Sequence, residues 1–180
     1  VQFADYYITQ NFYGVKETLE SMSNELIHTK NHIIPPLIQK KDLNKKCEDF
    51  LLINFGGLEN PYWTVEVTAH YIQKILSIIL PIVQSQFKTI KIVCSQNHIP
   101  YLKGFPVETA SYKEMQNFLQ KASLVIATSG LGNIYEIANY QVNSLFLPPV
   151  NDSQGQQLEI LKQKGLIDNA LDWSEFQCSI

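Results

Sequence analysis

The most constraining feature of this sequence is an alternation that begins at Phe50. Short, almost wholly apolar runs recur there: Phe50 to Phe55 (FLLINF), Ile90 to Ser95 (IKIVCS), Pro106 to Thr109 (PVET), Leu124 to Thr128 (LVIAT) and Ser144 to Leu147. Helical stretches separate them. Strands that are apolar on successive residues, not on every second one, have both faces covered, and strand-helix alternation supplies helices to cover them. The sequence therefore predicts an α/β fold, a Rossmann-like parallel sheet with helices on both faces. The helix signals agree. Asn60-Pro61 is predicted to open a long helix, Asn as N-cap and Pro in the first turn, which Pro81 would kink or end. Ser111 and Glu114 form an S-x-x-E capping box for a helix to Ala122. A helix from the glycine turn after Thr128 is predicted to run through Tyr140, and one from Gln154 to Lys164 to stop at Gly165.

The first 49 residues read differently. Phe3 to Thr9 is predicted as a strand, and Gly14 to Leu26 as an amphipathic helix with Val15, Leu19, Met22 and Leu26 on one face. His32 to Ile38 is a short apolar piece broken by Pro35-Pro36, and the lysine-rich run from Gln39 to Asp49 is predicted to be a loop or linker. The chain opens at Val1 on residues that already look structured, as an excerpt of a longer protein would.

Charge narrows the function. Fourteen cations stand against 17 acidic residues, a net −3, so no basic field invites nucleic acid. All fourteen are lysine. Without an arginine there is no bidentate guanidinium clamp, and a diphosphate would have to be held by backbone N–H groups, helix N-termini, hydroxyls or a lysine. The best membrane candidate, Ile75 to Phe87, is uncharged but interrupted by Pro81 and shorter than the roughly 20 residues a spanning helix needs. Cys47, Cys94 and Cys178 are odd in number and far apart, which suits a reducing, cytoplasmic setting and neither a disulfide framework nor a metal site. His28, His32, His70 and His98 share no motif spacing and are expected to be surface or structural residues.

In an open parallel sheet, ligands bind beyond the carboxyl ends of the strands. Three segments fall there: Gly56-Gly57-Leu58-Glu59-Asn60, Ser129-Gly130-Leu131-Gly132-Asn133, and Asn151 to Gln157. The second joins a hydroxyl, two glycines and a helix start, a place for an anion on free N–H groups. A tight turn with nothing bound is the other meaning of the same glycines. Neither glycine pair extends to G-x-G-x-x-G, and no G-x-x-x-x-G-K-[ST] is present, so NAD-type and P-loop readings have no motif. Glu136, six residues after Gly130, could accept both hydroxyls of a ribose diol, and Asp152, Gln154, Gln156 and Gln157 could read sugar hydroxyls.

The run Leu124 to Glu136, followed by a Leu-Phe-Leu-Pro strand and Gln156-Gln157, resembles the C-terminal, donor-binding half of GT-B glycosyltransferases. The nearest pattern is that of the N-acetylglucosaminyltransferase family that forms lipid II. The resemblance covers Phe50 to Asp168. It implies a nucleotide-sugar donor site, with a UDP-sugar as substrate, made by Gly56, Gly57, Ser129, Gly130, Leu131, Gly132 and Asn133. Glu136 would take the ribose, Gln156 and Gln157 the donor sugar, and Ser111 and Tyr112 the base, mostly through backbone. It divides the chain into 1–49, the end of an N-terminal acceptor domain with its crossover, and 50–180, the donor domain. It implies inverting hexosyl transfer without a cofactor or required metal, with the general base on the N-terminal domain, through which alone a membrane could be touched peripherally. The fragment by itself would bind donor without turnover. Two features depart from the pattern: Pro35 to Ile38 carries no arginine for the phosphates, and Thr128 stands where plant-type members have histidine. The run Gly56 to Pro61 also resembles cytosylglucuronate synthases, which would make the donor UDP-glucuronate. A donor-binding subunit of a split glycosyltransferase, a UDP-sugar hydrolase or epimerase of the same fold, and an α/β domain with an empty cleft are the alternatives.

Overall fold

A computed structural model describes residues 4–24, 28–38, 48–59, 63–167 and 169–176. The chain divides into two compact units, Val1–Gln39 and Lys40–Ile180.

The first unit is a single parallel crossover. Strand β1 (Tyr6–Gln10) leads to helix α1 (Val15–Ser21) and then to β2 (Lys30–Ile34), which pairs with β1 in parallel, Tyr6 opposite Lys30 and Gln10 opposite Ile34. Gly14 occupies the N-cap of α1 at φ 83°, a left-handed conformation that glycine adopts without a Cβ penalty. The predicted strand at Phe3 to Thr9 is displaced toward Gln10. Strand β2 replaces the predicted apolar fragment, because Lys30, Asn31 and His32 hide it from any apolar pattern while backbone pairing to β1 creates it. Helix α1 is shorter than its apolar period implied; Leu26 lies outside the described residues, as do residues 39–47 of the lysine-rich run.

The second unit carries the sheet. Its elements are β3 (Phe50–Asn54), α2 (Val65–Val83), β4 (Thr89–Val93), β5 (Val107–Glu108), α3 (Tyr112–Lys121), β6 (Leu124–Ala127), α4 (Leu131–Tyr140), β7 (Ser144–Phe146) and α5 (Asp152–Gln163), with 3-10 turns at Ile99–Tyr101 and Trp173–Phe176. The strand order is β5-β4-β3-β6-β7 and every pairing is parallel. All five residues of the central β3 are buried. Helices cover both faces, as the unbroken apolar strands required: this is the Rossmann-like α/β fold expected from the sequence. Leu51 and Ile53 of β3 share a core with Ile72, Ile75 and Leu76 of α2 and with Ile126 of β6.

Local signals account for most boundaries. The capping box is formed: Ser111 Oγ accepts from Glu114 N–H, and the Glu114 carboxylate accepts from Ser111 N–H at 2.8 Å. Helix α5 closes on a Schellman pair, Gly165 N–H to Lys162 C=O and Leu166 N–H to Leu161 C=O, with Gly165 at φ 62°. Two expectations need correction. Asn60 and Pro61 lie outside the described residues, and α2 begins at Val65 with Thr64 as N-cap accepting from Val67 N–H. Pro81 does not end α2, which continues to Val83; the missing N–H falls in the last turn, where Leu80 C=O still receives Gln84 N–H. Contrary to the reading of Ile75 to Phe87, α2 is long and apolar enough by length and composition to cross a membrane. Eight of its residues, Ile72, Ile75 and Ile79 among them, are buried within the unit, which accounts for that apolarity. Cys94 is a buried free thiol whose pKa burial raises to about 11; Cys47 and Cys178 lie outside the described residues.

Candidate active site at the switch point

The chain runs from β3 outward through β4 to β5, then returns to place β6 on the other side of β3. Between β3 and β6 the order of strands reverses, and ligands of open α/β sheets bind beyond the strand ends at such a switch point. The two glycine segments are the turns leaving those ends.

A polar residue at the end of β3 locks them together. Asn54 is buried; its Oδ1 accepts from Gly56 N–H at 2.9 Å, and its Nδ2 donates to Asn133 Oδ1 at 2.9 Å. Asn133 Nδ2 donates in turn to the Thr128 carbonyl at 3.0 Å and to Thr128 Oγ1 at 2.9 Å, while Thr128 Oγ1 donates to Gly56 C=O. Asn54 Nδ2 also lies 3.9 Å from Met115 Sδ, which brings the first turn of α3 to the same centre. Asn54 is thus a site-building residue that motif reading missed, and Thr128, noted there only as standing in place of a histidine, is another. The available signal was an asparagine closing an otherwise apolar strand.

The four glycines differ in why they are glycine. A Cβ on Gly56 would lie 3.1 Å from Asn54 Oδ1, and Gly57 has φ 76°, so the first turn needs both for its own geometry. At Gly130 and Gly132 neither reason applies: φ is not positive at either, and an added Cβ would meet nothing within 4 Å. Their bareness serves no contact inside the protein. Gly130 is the N-cap of α4 and no side chain caps that helix, so the start of α4 presents backbone N–H groups on a surface without side chains.

Glu136 lies one turn beyond Gly132 on the same side of α4, since residues four apart are stacked on a helix. It is half-buried, burial alone raises its carboxyl above the ordinary glutamate range, and no described residue hydrogen-bonds or pairs with it. Two donors from a ligand diol would offset that desolvation. In α5, Gln157 is half-buried and its Oε1 is buried without a partner, whereas Gln156 is exposed. Adjacent helix positions diverge by about 100°, so the predicted glutamine pair does not act as one surface.

Other predicted residues have different duties. Asn133 spends its side chain on the two turns and has only its backbone N–H to offer. Ser129 is buried, its Oγ donating to Gln154 C=O at 3.4 Å, which ties α4's turn to α5. Gln154 is no sugar reader: it is buried, with Oε1 accepting from Val150 N–H at 3.1 Å. Leu131 is half-buried at the start of α4. Ser111 and Tyr112 are exposed at the head of α3, and the Ser111 N–H is already given to Glu114, which leaves Tyr112 N–H as the donor there. Among the described residues no three His, Cys, Asp or Glu side chains could hold a metal ion.

The model of the glycosyltransferase family 28 C-terminal domain matches residues 64–168, more than half of the chain. No curated protein matches it. The matched span contains the bare start of α4, Glu136 and the head of α5, and Gly56-Gly57 lies just before it. By that match and this fold, the chain belongs to the glycosyltransferase family 28 C-terminal domain, the donor-binding half of a GT-B glycosyltransferase.

Proposed function

We propose that this domain binds a UDP-sugar and supports inverting transfer of its hexosyl group to an acceptor carried by an N-terminal domain. The observation that carries the reading is the pairing of glycines the fold does not need, Gly130 and Gly132, with a half-buried carboxylate one turn away that has no partner among the described residues. The diphosphate lies against the N–H groups of Leu131, Gly132 and Asn133, which compensates for the missing arginine. Glu136 accepts the two ribose hydroxyls, the head of α3 faces the base, and Gln157 contacts the donor sugar. In the reaction the acceptor oxygen attacks the anomeric carbon and the bond from that carbon to the diphosphate breaks. The electron pair and the negative charge leave with UDP, where preorganised N–H donors and the α4 dipole stabilise them.

The general base and most of the acceptor contacts belong to the partner domain, so the chain alone binds donor without turnover. Unit 1 supports such a partner: a parallel strand pair ordinarily has both faces covered, and none of its described residues is buried. A lipid II-type N-acetylglucosaminyl donor is the reading the Gly130-to-Gln157 pattern favours, with glucuronate as the competing sugar. Calorimetric titration with UDP, UDP-glucose, UDP-N-acetylglucosamine and UDP-glucuronate tests it. UDP is expected to bind, and Glu136→Ala to weaken it by about 1 kcal/mol, the worth of a lost hydrogen bond. Equal affinity in the two proteins would remove Glu136 from the site and the ribose assignment with it.

A further inference from the structure

A second concavity opens at the carboxyl end of β4, away from α4. It is a wide-open depression of about 710 Å³ between the first turn of α2 and the loop after β4, lined by Thr64, Glu66, Gln96, Asn97 and Tyr101 among others. That volume is in the range of small-molecule sites.

Its walls are tied in place from three sides. At the rim, Tyr101 O–H donates to Glu66 Oε1 at 2.8 Å, and Gln73 Nε2 donates to Tyr101 C=O at 2.7 Å. From the Gly56-Gly57 turn comes Glu59, whose carboxylate accepts from Ser95 Oγ and from Asn97 Nδ2 at 2.9 Å. Beneath, fully buried His98 shares a 2.7 Å hydrogen bond between Nε2 and Thr68 Oγ1, joining the loop to the first turn of α2. A concavity held this way needs no reorganisation to receive a ligand, which lowers the cost of binding.

Its chemistry selects the ligand. Hydrogen bonds hold both Glu59 and Glu66 below the ordinary carboxylate range, and no lysine is in the lining, so an anion is disfavoured. Both carboxylates already have donors, which leaves little unmet demand for a cation. What remains is Tyr101, a residue 41% exposed, and the carboxamides of Gln96 and Asn97, each both donor and acceptor, beside the Glu66 carboxylate. An apolar ring face with amides and a carboxylate around it fits a pyranose, whose C–H face is apolar and whose edge is hydroxyl. We propose that this cavity is a saccharide-binding site separate from the α4 turn. Its role, holding a sugar unit of the acceptor, rests on the glycosyltransferase reading; the binding itself does not.

The test is amide-resolved NMR titration of this chain with methyl β-N-acetylglucosaminide, methyl β-glucoside and cellobiose, followed by UDP in the same sample. Saturable shifts are expected at Gln96, Asn97 and Tyr101 with at least one saccharide, and Gln96→Ala, an exposed position, is expected to weaken them by about fivefold, as loss of one hydrogen bond would. Saccharide shifts confined to Gly130–Asn133, no saturable shift with any saccharide, unchanged affinity in Gln96→Ala, or a response to magnesium chloride in place of sugar would each overturn the proposal. The UDP step reads the α4 turn independently, so failure of the donor reading and failure of this one give different spectra.

Discussion

The chain contains two parallel crossovers of the same local form and opposite energetics. In β3-α2-β4 two five-residue strands pair residue for residue, every residue of β3 is buried, and α2 buries eight side chains. In β1-α1-β2 two five-residue strands also pair residue for residue, yet none of their described residues and none of α1 is buried; Ile8 is 61% and Ile33 43% exposed. Backbone hydrogen bonds are equally available to both. What differs is coverage, and the difference teaches that parallel pairing fixes direction and register while burial supplies the free energy.

The sharpest way to break that contrast is a pair of truncations followed by urea denaturation. Ile72→Ala in α2 should cost about 2–5 kcal/mol, whereas Ile8→Ala in β1 should change stability by less than about 0.5 kcal/mol. Comparable losses at the two sites would show unit 1 to be packed after all. Next come the glycines, which repeat the contrast within the site. Gly56→Ala should destabilise by about 1–3 kcal/mol, because its Cβ would press on Asn54 Oδ1 and disturb the bonds that join the two turns. Gly132→Ala should leave the fold intact or stabilise α4 by up to about 1 kcal/mol, helix propensity favouring alanine, while weakening UDP by roughly tenfold or more. Parallel thermal melts and titrations of the two variants separate folding glycines from ligand glycines, and a Gly132→Ala protein with undiminished UDP affinity would erase that distinction.

Two smaller effects are read from pH. Burial holds His98 below the ordinary histidine pKa of about 6.5, so the unfolded chain binds its proton first. The stability this neutral ring allows is complete above about pH 6.5 and lost as pH falls toward the depressed folded value. In His98→Gln, acid melts over that interval should be flatter than in wild type. Glu136 has the opposite sign. Its carboxyl is raised on folding, so its contribution is complete below the ordinary glutamate pKa of about 4.3 and is lost as pH rises through the folded value. Glu136→Gln should therefore melt slightly above wild type at pH 7, with the gap closing toward pH 4, while binding UDP several-fold more weakly. A variant that is neither more stable nor a weaker binder would mean the carboxylate is an ordinary surface group.

Legibility followed the range of the interactions. The strand cores, the Ser111-Glu114 box and the Gly165 stop were readable because each depends on residues within a turn or so of one another. Strand β2 was not, since a polar face such as Lys30-Asn31-His32 becomes a strand only by pairing with residues 24 positions earlier. The N-cap of α2 was not legible either: Thr64 accepts from Val67 N–H at the start of the helix, and no Pro or capping-box spacing marked it. In the site, the position of the glycine turns and of Glu136 was legible from motif and spacing. The reversal of roles was not: Gln154 faces inward, Gln156 and Gln157 diverge, and Asn54, which no motif marks, joins the two turns.

By itself the sequence determined a parallel α/β sheet, because successive apolar residues in short runs admit no other covered arrangement, and it excluded a guanidinium clamp, because it contains no arginine. Tertiary structure alone decided which glycines are structural and which are bare, and that Asn54 fastens two turns 79 residues apart. It also decided that Glu136 is left half-buried without a partner among the described residues. Those properties are distances between atoms remote along the chain, and local propensity carries no information about them until the sheet has brought the strands side by side.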